Sequence, residues 1–216
     1  MDPIIVGLAG GTGSGKTTCA VTIETQVVSD IAEELGVSLS CLVLATDHYY
    51  RRQDHVPPAE RCFINYDEPG AIEDALLLAQ LRALVTGLAV QRPTYDFTNH
   101  TRSYRTEAIN PADVIVVEGL FPYCYPELRN AFDVRFFLET DLDTSLARRK
   151  RRDQEERGRD PTDIDRQFKT TVKPGHYQYV APSRQYAHHA FEWNGDVTEQ
   201  VALIQRNLEG LIRSRI

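Results

Sequence analysis

Residues 10–17 read Gly-Gly-Thr-Gly-Ser-Gly-Lys-Thr and fit the pattern of a glycine, four residues, then Gly-Lys-Ser/Thr. Small residues at this spacing let successive backbone N–H groups surround phosphate oxygens, while Lys16 adds a positive charge and Thr17 a hydroxyl that suits Mg²⁺. The apolar run at 4–9 predicts a buried strand before the loop, and apolar residues every three or four positions over 17–35 predict a helix after it. With both flanks in place, the stretch predicts a phosphate-binding loop rather than a glycine-rich turn with a chance lysine.

The composition bounds the class of protein. The 216 residues are 42% hydrophobic and 25% charged, which is typical of a globular α/β domain with a sizeable core. We therefore expect a single domain over 1–216 with a covering lid. The net charge of −7 argues against a nucleic-acid or anionic-membrane partner, because both interactions draw on a basic surface.

Cysteine spacing and the N-terminus bear on location. Cys19, Cys41, Cys62 and Cys124 form no close pair and have no metal-ligand spacing, which favours free thiols in a reducing compartment. No basic region precedes the short apolar stretch near the N-terminus, and no apolar run approaches the length of a membrane span. These features predict a cytoplasmic protein.

Two further predicted strands are followed by acidic residues. The run at 40–45 leads to Asp47, and the β-branched run at 113–117 leads to Glu118. Because ligands gather at the carboxyl ends of parallel strands, Asp47 is a candidate base for a hydroxyl proton and Glu118 a candidate magnesium ligand. The alternatives are a turn or N-cap aspartate at 47 and a structural carboxylate at 118.

Residues 71–85 predict a helix that ends near Gly87, and a hairpin follows it. Apolar residues alternate with polar ones up to Phe97, and the chain turns near Asn99 and His100 before returning. Tyr66, Tyr95, Phe97 and His100 offer planar faces for a heterocyclic base, although packing within the hairpin is the commoner use of such residues.

A helix predicted from Asp141 carries seven basic and three acidic residues between positions 148 and 159, a local net charge of +4. Such a run is usually a solvated helix face. Beside a phosphate loop it predicts a lid over about 141–165, because phosphoryl transfer needs cations that neutralise the transferring group as the site closes. Beyond it, we expect a helix broken at Pro174 and Gly175, a short strand at 191–193 and an amphipathic helix over 197–212.

Several segments together resemble the uridine kinases, also called uridine–cytidine kinases, of the P-loop kinase superfamily. In the family's order they are GGTGSGKTT at 10–18, DHYYR at 47–51, NYDEPGA at 65–71, PTYDFTNHTR at 93–102, VVEG at 116–119, ERGRD at 156–160 and VKPGHYQYVAPSRQYA at 172–187. The resemblance implies a P-loop NTPase fold: a central, mostly parallel sheet flanked by helices, with an acceptor hairpin at about 88–107 and an arginine-rich helical lid.

The same resemblance implies ATP-dependent phosphorylation of the 5′-hydroxyl of uridine or cytidine, with ATP or GTP as donor, Mg²⁺, and a tetrameric homo-oligomer. Its catalytic residues would be Asp47 as base together with Lys16, Arg152 and Arg157. The phosphate donor would be held by Gly10, Gly11, Thr12, Gly13, Ser14, Gly15, Lys16, Thr17, Thr18, Arg157 and Arg159. The magnesium site would comprise Thr17, Asp47 and Glu118.

The nucleoside pocket is implied in the same way. Asp67, Arg149 and Gln167 match positions that recognise the ribose hydroxyls. Tyr95 and His100 match base-edge readers, Tyr66 and Phe97 match stacking positions, and Tyr50 matches another wall of the pocket.

The chain also departs from the family's pattern. His48 stands where the family usually has serine or aspartate. Residues 187–195 differ in sequence from the family's final strand, and Trp193 within them could stack on the donor base or simply pack.

The alternative functions are a related kinase for another hydroxyl metabolite, phosphoribulokinase-like or pantothenate-kinase-like, and a nucleotide-dependent switch. The sequence Asp67-Glu68-Pro69-Gly70 mimics a GTPase element, but the chain has no Asn-Lys-x-Asp guanine reader.

Overall fold

The computed structural model describes residues 2–216 and contains one parallel sheet and one hairpin. The strands are β1 (Ile4–Gly10), β2 (Cys41–Ala45), β3 (Val90–Asp96), β4 (Thr101–Ile109), β5 (Val114–Gly119), β6 (Val134–Glu139) and β7 (His189–Glu192). The sheet order is β2-β5-β1-β6-β7 with every pair parallel, and β3 pairs with β4 antiparallel. This arrangement confirms the predicted α/β fold with a central parallel sheet.

Helices cover the sheet. They are α1 (Lys16–Thr22), α2 (Val28–Leu35), α3 (Asp74–Val85), α4 (Pro126–Ala131), α5 (Leu142–Glu155), α6 (Pro161–Gln167), α7 (Lys173–Gly175), α8 (Ala181–Ser183) and α9 (Thr198–Arg213), and the π-helical segment Ile23–Val27 joins α1 to α2. The predicted helix at 71–85 begins at Asp74 because residues Pro69–Ala71 form a 3₁₀ turn. None of the helices within residues 2–216 is both long and apolar enough to span a membrane.

Alternation along the central strands divides the core into two layers, because successive side chains of a strand point to opposite faces. Ile5 and Ile115 pack on one face with α3, whereas Val6 and Val116 pack on the other with α1 and α9. Both β1 and β5 are buried along their whole length. A strand covered on both faces carries a continuous apolar run, as these two do.

The predicted break at Pro174 and Gly175 is wrong. Helical structure continues from 161 to 186, with π-helical segments at Phe168–Val172 and His176–Val180. The N–H of Lys173 reaches back five residues to the carbonyl of Phe168, and the next residue is Pro174. The wider π turn accommodates a proline that has no N–H to donate. The backbone hydrogen bonds there span five residues instead of four, and the helix continues.

Candidate active site

A cavity of about 310 Å³ opens at the carboxyl ends of β1, β2 and β5, between the phosphate loop, the hairpin and α5. It brings together all but three of the site residues that the sequence predicted: Thr12, Gly13, Gly15, Lys16, Thr17, Thr18, Asp47, Tyr50, Tyr66, Asp67, Tyr95, Phe97, His100, Glu118, Arg149, Arg152, Arg157, Arg159 and Gln167. Gly10, Gly11 and Ser14 belong to the loop but do not line the cavity. Leu120 and Arg148 also line it and were not among the predicted site residues.

The phosphate loop depends on glycine where its backbone turns left-handed and neighbours approach closely. Gly15 has φ +92°, and a Cβ there would lie 2.9 Å from Cδ1 of Trp193. Gly13 has φ +67°, and a Cβ there would lie 2.8 Å from the carbonyl of Ser145. The hydroxyl of Ser145 in turn donates to the Thr12 carbonyl at 2.6 Å, so a hydrogen bond connects α5 directly to the loop.

Lys16 is buried at the start of α1, and its ammonium donates to the Gly11 carbonyl at 2.7 Å. Burial lowers the pKa of Lys16, while the nearby carboxylates of Glu118 and Asp47 act in the opposite direction. The loop therefore holds a cation in a poorly solvated position, where an anionic ligand would gain more from it than at the surface.

The two predicted acidic residues lie at the same edge of the sheet. Glu118 is in register with Ala45, and Asp47 follows two residues later in the 3₁₀ turn Thr46–Tyr49. The Thr17 hydroxyl donates to Oε1 of Glu118 at 3.1 Å. Burial raises the pKa of Glu118, with Lys16 opposing that shift and Asp47 adding to it. The site thus gathers hydroxyl and carboxylate oxygens beside the phosphate loop.

Arginines of residues 148–159, which we name the arginine segment, converge on one carboxylate. Asp153 has a fully buried side chain, and four guanidinium groups lie within 4 Å of it: Arg152 at 2.8 Å, Arg159 at 3.1 Å, Arg157 at 3.3 Å and Arg149 at 3.6 Å. Burial by itself would raise the pKa of Asp153, but the arginines, Arg152 first, outweigh it and hold the pKa below its usual range. Asp153 was not among the predicted site residues, although its spacing of four from Arg149 and Arg157 is a signal for such contacts.

Arg148 ties the arginine segment to the phosphate loop and to the chain after β7. Its guanidinium donates to the Gly13 carbonyl at 3.1 Å and to Oδ1 of Asn194 at 3.2 Å. Trp193 is buried in the core against Gly15, so of its two predicted uses the structure shows packing. The spacing of four between Arg148 and Arg152, which puts both on one helix face, is the signal that could have identified Arg148.

Aromatic side chains form the wall of the cavity away from the loop. Tyr66 packs edge-on against Tyr50 with ring centroids 5.7 Å apart, and it stacks with His100 at 5.7 Å and 20° between planes. Phe97 lies under the guanidinium of Arg157, 4.1 Å from the ring centroid. The rings therefore pack on one another and also line the cavity, and their use in holding a planar base stays a prediction.

His100 stands at the tip of the hairpin with φ +49°, a left-handed conformation that is uncommon outside glycine. Its carbonyl accepts a hydrogen bond from the Tyr66 hydroxyl at 2.9 Å. Burial lowers the pKa of His100, and Arg159 and Arg157 lower it further. These influences favour the neutral imidazole, which has one nitrogen to donate and one to accept.

Arg102 anchors the hairpin beside Asp47. Its guanidinium donates to the carbonyls of Tyr49 and Tyr50 at 3.0 and 3.1 Å and pairs with Glu73 at 2.6 Å. Arg102 belongs to the hairpin motif at 93–102 but was not among the predicted site residues.

A polar group lies next to the aromatic wall. Arg149 donates to Oε1 of Gln167 at 2.9 Å and to the Thr12 hydroxyl at 3.4 Å, so it spans from the phosphate loop to α6. Asp67 is buried and accepts a hydrogen bond from Thr171 at 2.6 Å. Burial raises the pKa of Asp67, and Arg149 is the main opposing influence.

Comparisons with known proteins identify the family of the chain. The model of the phosphoribulokinase / uridine kinase family matches residues 5–199. The chain is 38% identical over 213 residues to a uridine kinase of Alkaliphilus metalliredigens (strain QYMF), with 99% of this chain and 98% of the relative covered. It is 44% identical over 183 residues to a uridine kinase of Staphylococcus haemolyticus (strain JCSC1435), with 85% and 84% covered.

Among solved structures, a D-glycerate 3-kinase from Cryptococcus neoformans var. grubii superposes with a TM-score of 0.55 at 17% identity, covering 86% of this chain and 79% of that one. At this identity the likeness shows a shared fold alone. The sequence relatives and the family match go further, because they extend over nearly the whole chain. The chain belongs to the phosphoribulokinase / uridine kinase family of P-loop kinases.

Proposed function

We propose that the protein transfers the γ-phosphate of ATP to the 5′-hydroxyl of uridine or cytidine, giving UMP or CMP. The observation that carries the proposal is a single cavity that joins the phosphate loop to a pocket of aromatic rings, a histidine and a buried carboxylate. A planar base fits the rings, and a sugar's hydroxyls fit the carboxylate with Arg149 and Gln167. The uridine kinases among the relatives support the same acceptor.

Asp47 is the proposed general base. Its charge opposes the burial that lowers the pKa of Lys16 on the side of the phosphate loop, and it adds to the raised pKa of Asp67 on the side of the polar group. A carboxylate near enough to influence both groups can accept the 5′-hydroxyl proton as that oxygen attacks the γ-phosphate. We expect such a base to contribute about 10²–10⁴-fold to the rate.

The donor phosphates would lie against the backbone N–H groups of Gly13 to Thr18, with Lys16 near the β- and γ-phosphates. Arg152, Arg157 and Arg159 would neutralise charge on the transferring group. Because Asp153 already gathers them at the cavity, little rearrangement is needed when that charge develops. In-line transfer depends mainly on such positioning and charge neutralisation.

The residues present fit a magnesium ion. The Thr17 hydroxyl and the buried Glu118 carboxylate are 3.1 Å apart, and Asp47 lies at the same strand ends. Mg²⁺ in kinases is held by few protein oxygens, with phosphates and waters completing its shell. When bound, it would neutralise phosphate charge and orient the γ-phosphate.

A second candidate acceptor is another hydroxyl metabolite, because the family whose model matches the chain includes phosphoribulokinases as well as uridine kinases. The wall formed by Tyr66, Phe97 and His100 favours a planar base instead. A sugar phosphate or an acid would call for more cations at that end of the cavity.

An acceptor panel tests the proposal. With ATP·Mg²⁺ as donor, turnover is measured for uridine, cytidine, deoxycytidine, thymidine, pantothenate, ribulose 5-phosphate and D-glycerate, and is repeated with GTP. We expect the highest kcat/KM for uridine or cytidine. A higher value for any acceptor without a nucleobase would overturn the assignment, and ATP hydrolysis without phosphorylation of any acceptor would overturn it as well.

A further inference from the structure

One stretch of helix fixes Asp67 at two successive turns. Thr171 donates its hydroxyl to Oδ2 of Asp67 at 2.6 Å. Four residues later, a Cβ added at Gly175 would lie 2.1 Å from the Asp67 carbonyl oxygen, so only glycine permits the helix to come this close. Asn65 completes the support by accepting the Asp67 N–H at 3.0 Å.

The Thr171 hydroxyl has one proton and two acceptors within reach. The carbonyl of Gln167 lies at 3.1 Å, whereas Oδ2 of Asp67 lies at 2.6 Å. A hydrogen bond to an ionised acceptor is shorter and stronger than one to a neutral carbonyl, so the proton is directed to Asp67. Within residues 2–216, no hydrogen bond reaches the other carboxylate oxygen, Oδ1, and it is left for a ligand.

Thr171 does not line the cavity, whereas Asp67 does. Any effect of Thr171 on a ligand in the cavity is therefore transmitted through the Asp67 carboxylate. A buried carboxylate whose rotation is restrained presents one oxygen in a fixed direction, and small angular errors at such a group cost binding and rate.

We propose that Thr171 is a positioning residue that orients the Asp67 carboxylate toward the ribose hydroxyls and thereby sets the preference for ribonucleosides over 2′-deoxyribonucleosides. The inference rests on the proposed function, since it needs a nucleoside acceptor. Loss of the Thr171 hydroxyl should weaken recognition of uridine more than that of 2′-deoxyuridine, because the deoxynucleoside already lacks one of the hydroxyls concerned.

The test compares Thr171→Val with a matched control at the neighbouring position. Thr170 also donates its hydroxyl to the carbonyl four residues back, that of Arg166, but it is exposed and does not contact Asp67. Thr170→Val therefore reproduces the loss of a helix hydroxyl without the loss of the carboxylate contact. Thr171→Ser restores the donor and serves as the rescue variant.

We expect Thr171→Val to raise KM for uridine about 10-fold and to lower the uridine to 2′-deoxyuridine ratio of kcat/KM by a similar factor, with KM for ATP unchanged. Thr171→Ser and Thr170→Val should keep the ratio within about twofold of the original. If Thr171→Val does not fold, Thr171→Ala removes the hydroxyl while favouring the helix.

An unchanged ratio in the folded Thr171 variants, with normal turnover of uridine by the original protein, would overturn this inference alone. A loss equal for both nucleosides would also overturn it, because it would indicate general damage to the site. Absence of turnover with every pyrimidine nucleoside in the original protein would instead overturn the proposed function.

Discussion

The Asp153 carboxylate accepts a hydrogen bond from the Arg159 guanidinium at 3.1 Å, and the backbone N–H of Arg159 donates to the backbone carbonyl of Asp153 at 3.0 Å. Arg159 lies beyond the end of α5, so this double contact folds the chain after the helix back onto it. The carboxylate shares its charge with three more arginines, and the arginine segment therefore has a fixed centre rather than a set of independent side chains.

Replacing Asp153 by asparagine should disperse these guanidinium groups. We expect kcat to fall at least about 10-fold, because the cations that neutralise the transferring phosphate lose their arrangement. The free energy of unfolding should fall by about 3–5 kcal/mol, since a buried charge network is broken. Steady-state kinetics and urea unfolding measure both.

The control for Asp153→Asn is Glu155→Gln on the same helix, where the exposed pair with Arg151 is removed. An exposed pair of this kind contributes less than about 1 kcal/mol, so kcat and stability should stay close to the original. If kcat and the free energy of unfolding change equally in the two variants, Asp153 does not hold the arginine segment together.

Asp47→Asn should retain ATP binding and lose most of the turnover. Asparagine has a similar shape but cannot accept the 5′-hydroxyl proton, so kcat should fall by about 10²–10⁴-fold. Calorimetric titration with ATP·Mg²⁺ reports whether the donor site is intact. Near-normal turnover would remove Asp47 from the role of base.

His100→Leu should raise KM for uridine and cytidine by about 10-fold or more while KM for ATP changes little, because the polar edge facing the base is lost. His100→Asn should be milder, since asparagine keeps hydrogen-bonding groups and tolerates the positive φ of this position. If the KM for ATP changes most, the hairpin does not belong to the acceptor pocket.

Gly15→Ala should abolish measurable ATP binding, because the new Cβ meets Trp193 in a backbone conformation that alanine adopts with strain. Gly36→Ala is the matched control: it has φ +65° but nothing within 4 Å of the added Cβ. We expect the control to lose about 1 kcal/mol of stability and to keep ATP affinity. Equal ATP affinity in the two variants would contradict the close packing of Trp193 on the loop.

Because His176 is partly buried, we expect it to make the free energy of unfolding depend on pH. It lies beside Gly11, and burial lowers the pKa of His176 below its ordinary value near 6.5. As the pH falls, His176 is therefore protonated in the unfolded chain before it is protonated in the folded protein. This part of the stability is present above about pH 6.5 and is lost on acidification.

His176→Gln should thus flatten the fall in urea stability between pH 7 and pH 5.5. His55→Gln, at an exposed position, controls for loss of a histidine as such. A slope that His176→Gln leaves unchanged would mean that other groups carry the acid sensitivity.

Local patterns predicted much of this architecture. The loop at 10–17 was identifiable because its chemistry requires fixed residue types at fixed spacing, and Asp47 and Glu118 could be placed at one edge because parallel strands end together. The aromatic positions of the hairpin were found in the same way, although spacing alone could not decide between packing and a ligand wall.

Contacts between distant segments could not be predicted. Trp193 meets Gly15, and Arg148 meets Asn194, only because β7 lies beside β6 at the edge of the sheet next to the phosphate loop. The continuous helix through Pro174 contradicts the usual rule for proline. That rule assumes the ordinary α-helical hydrogen-bond pattern, whereas the five-residue reach of a π turn is set by packing that no local pattern reveals.

The unbroken helical stretch at 161–186 carries three residues that contact different parts of the site, so it fixes the spacing between those contacts. Gln167 contacts Arg149, Thr171 contacts Asp67, and His176 lies beside Gly11 of the phosphate loop. The separation between the Asp67 carboxylate, which we propose binds the acceptor, and the phosphate loop is consequently set by the number of residues along a single helix. Inserting one residue between Thr171 and His176 would rotate one contact about 100° relative to the other, and the two substrates would no longer be held in register.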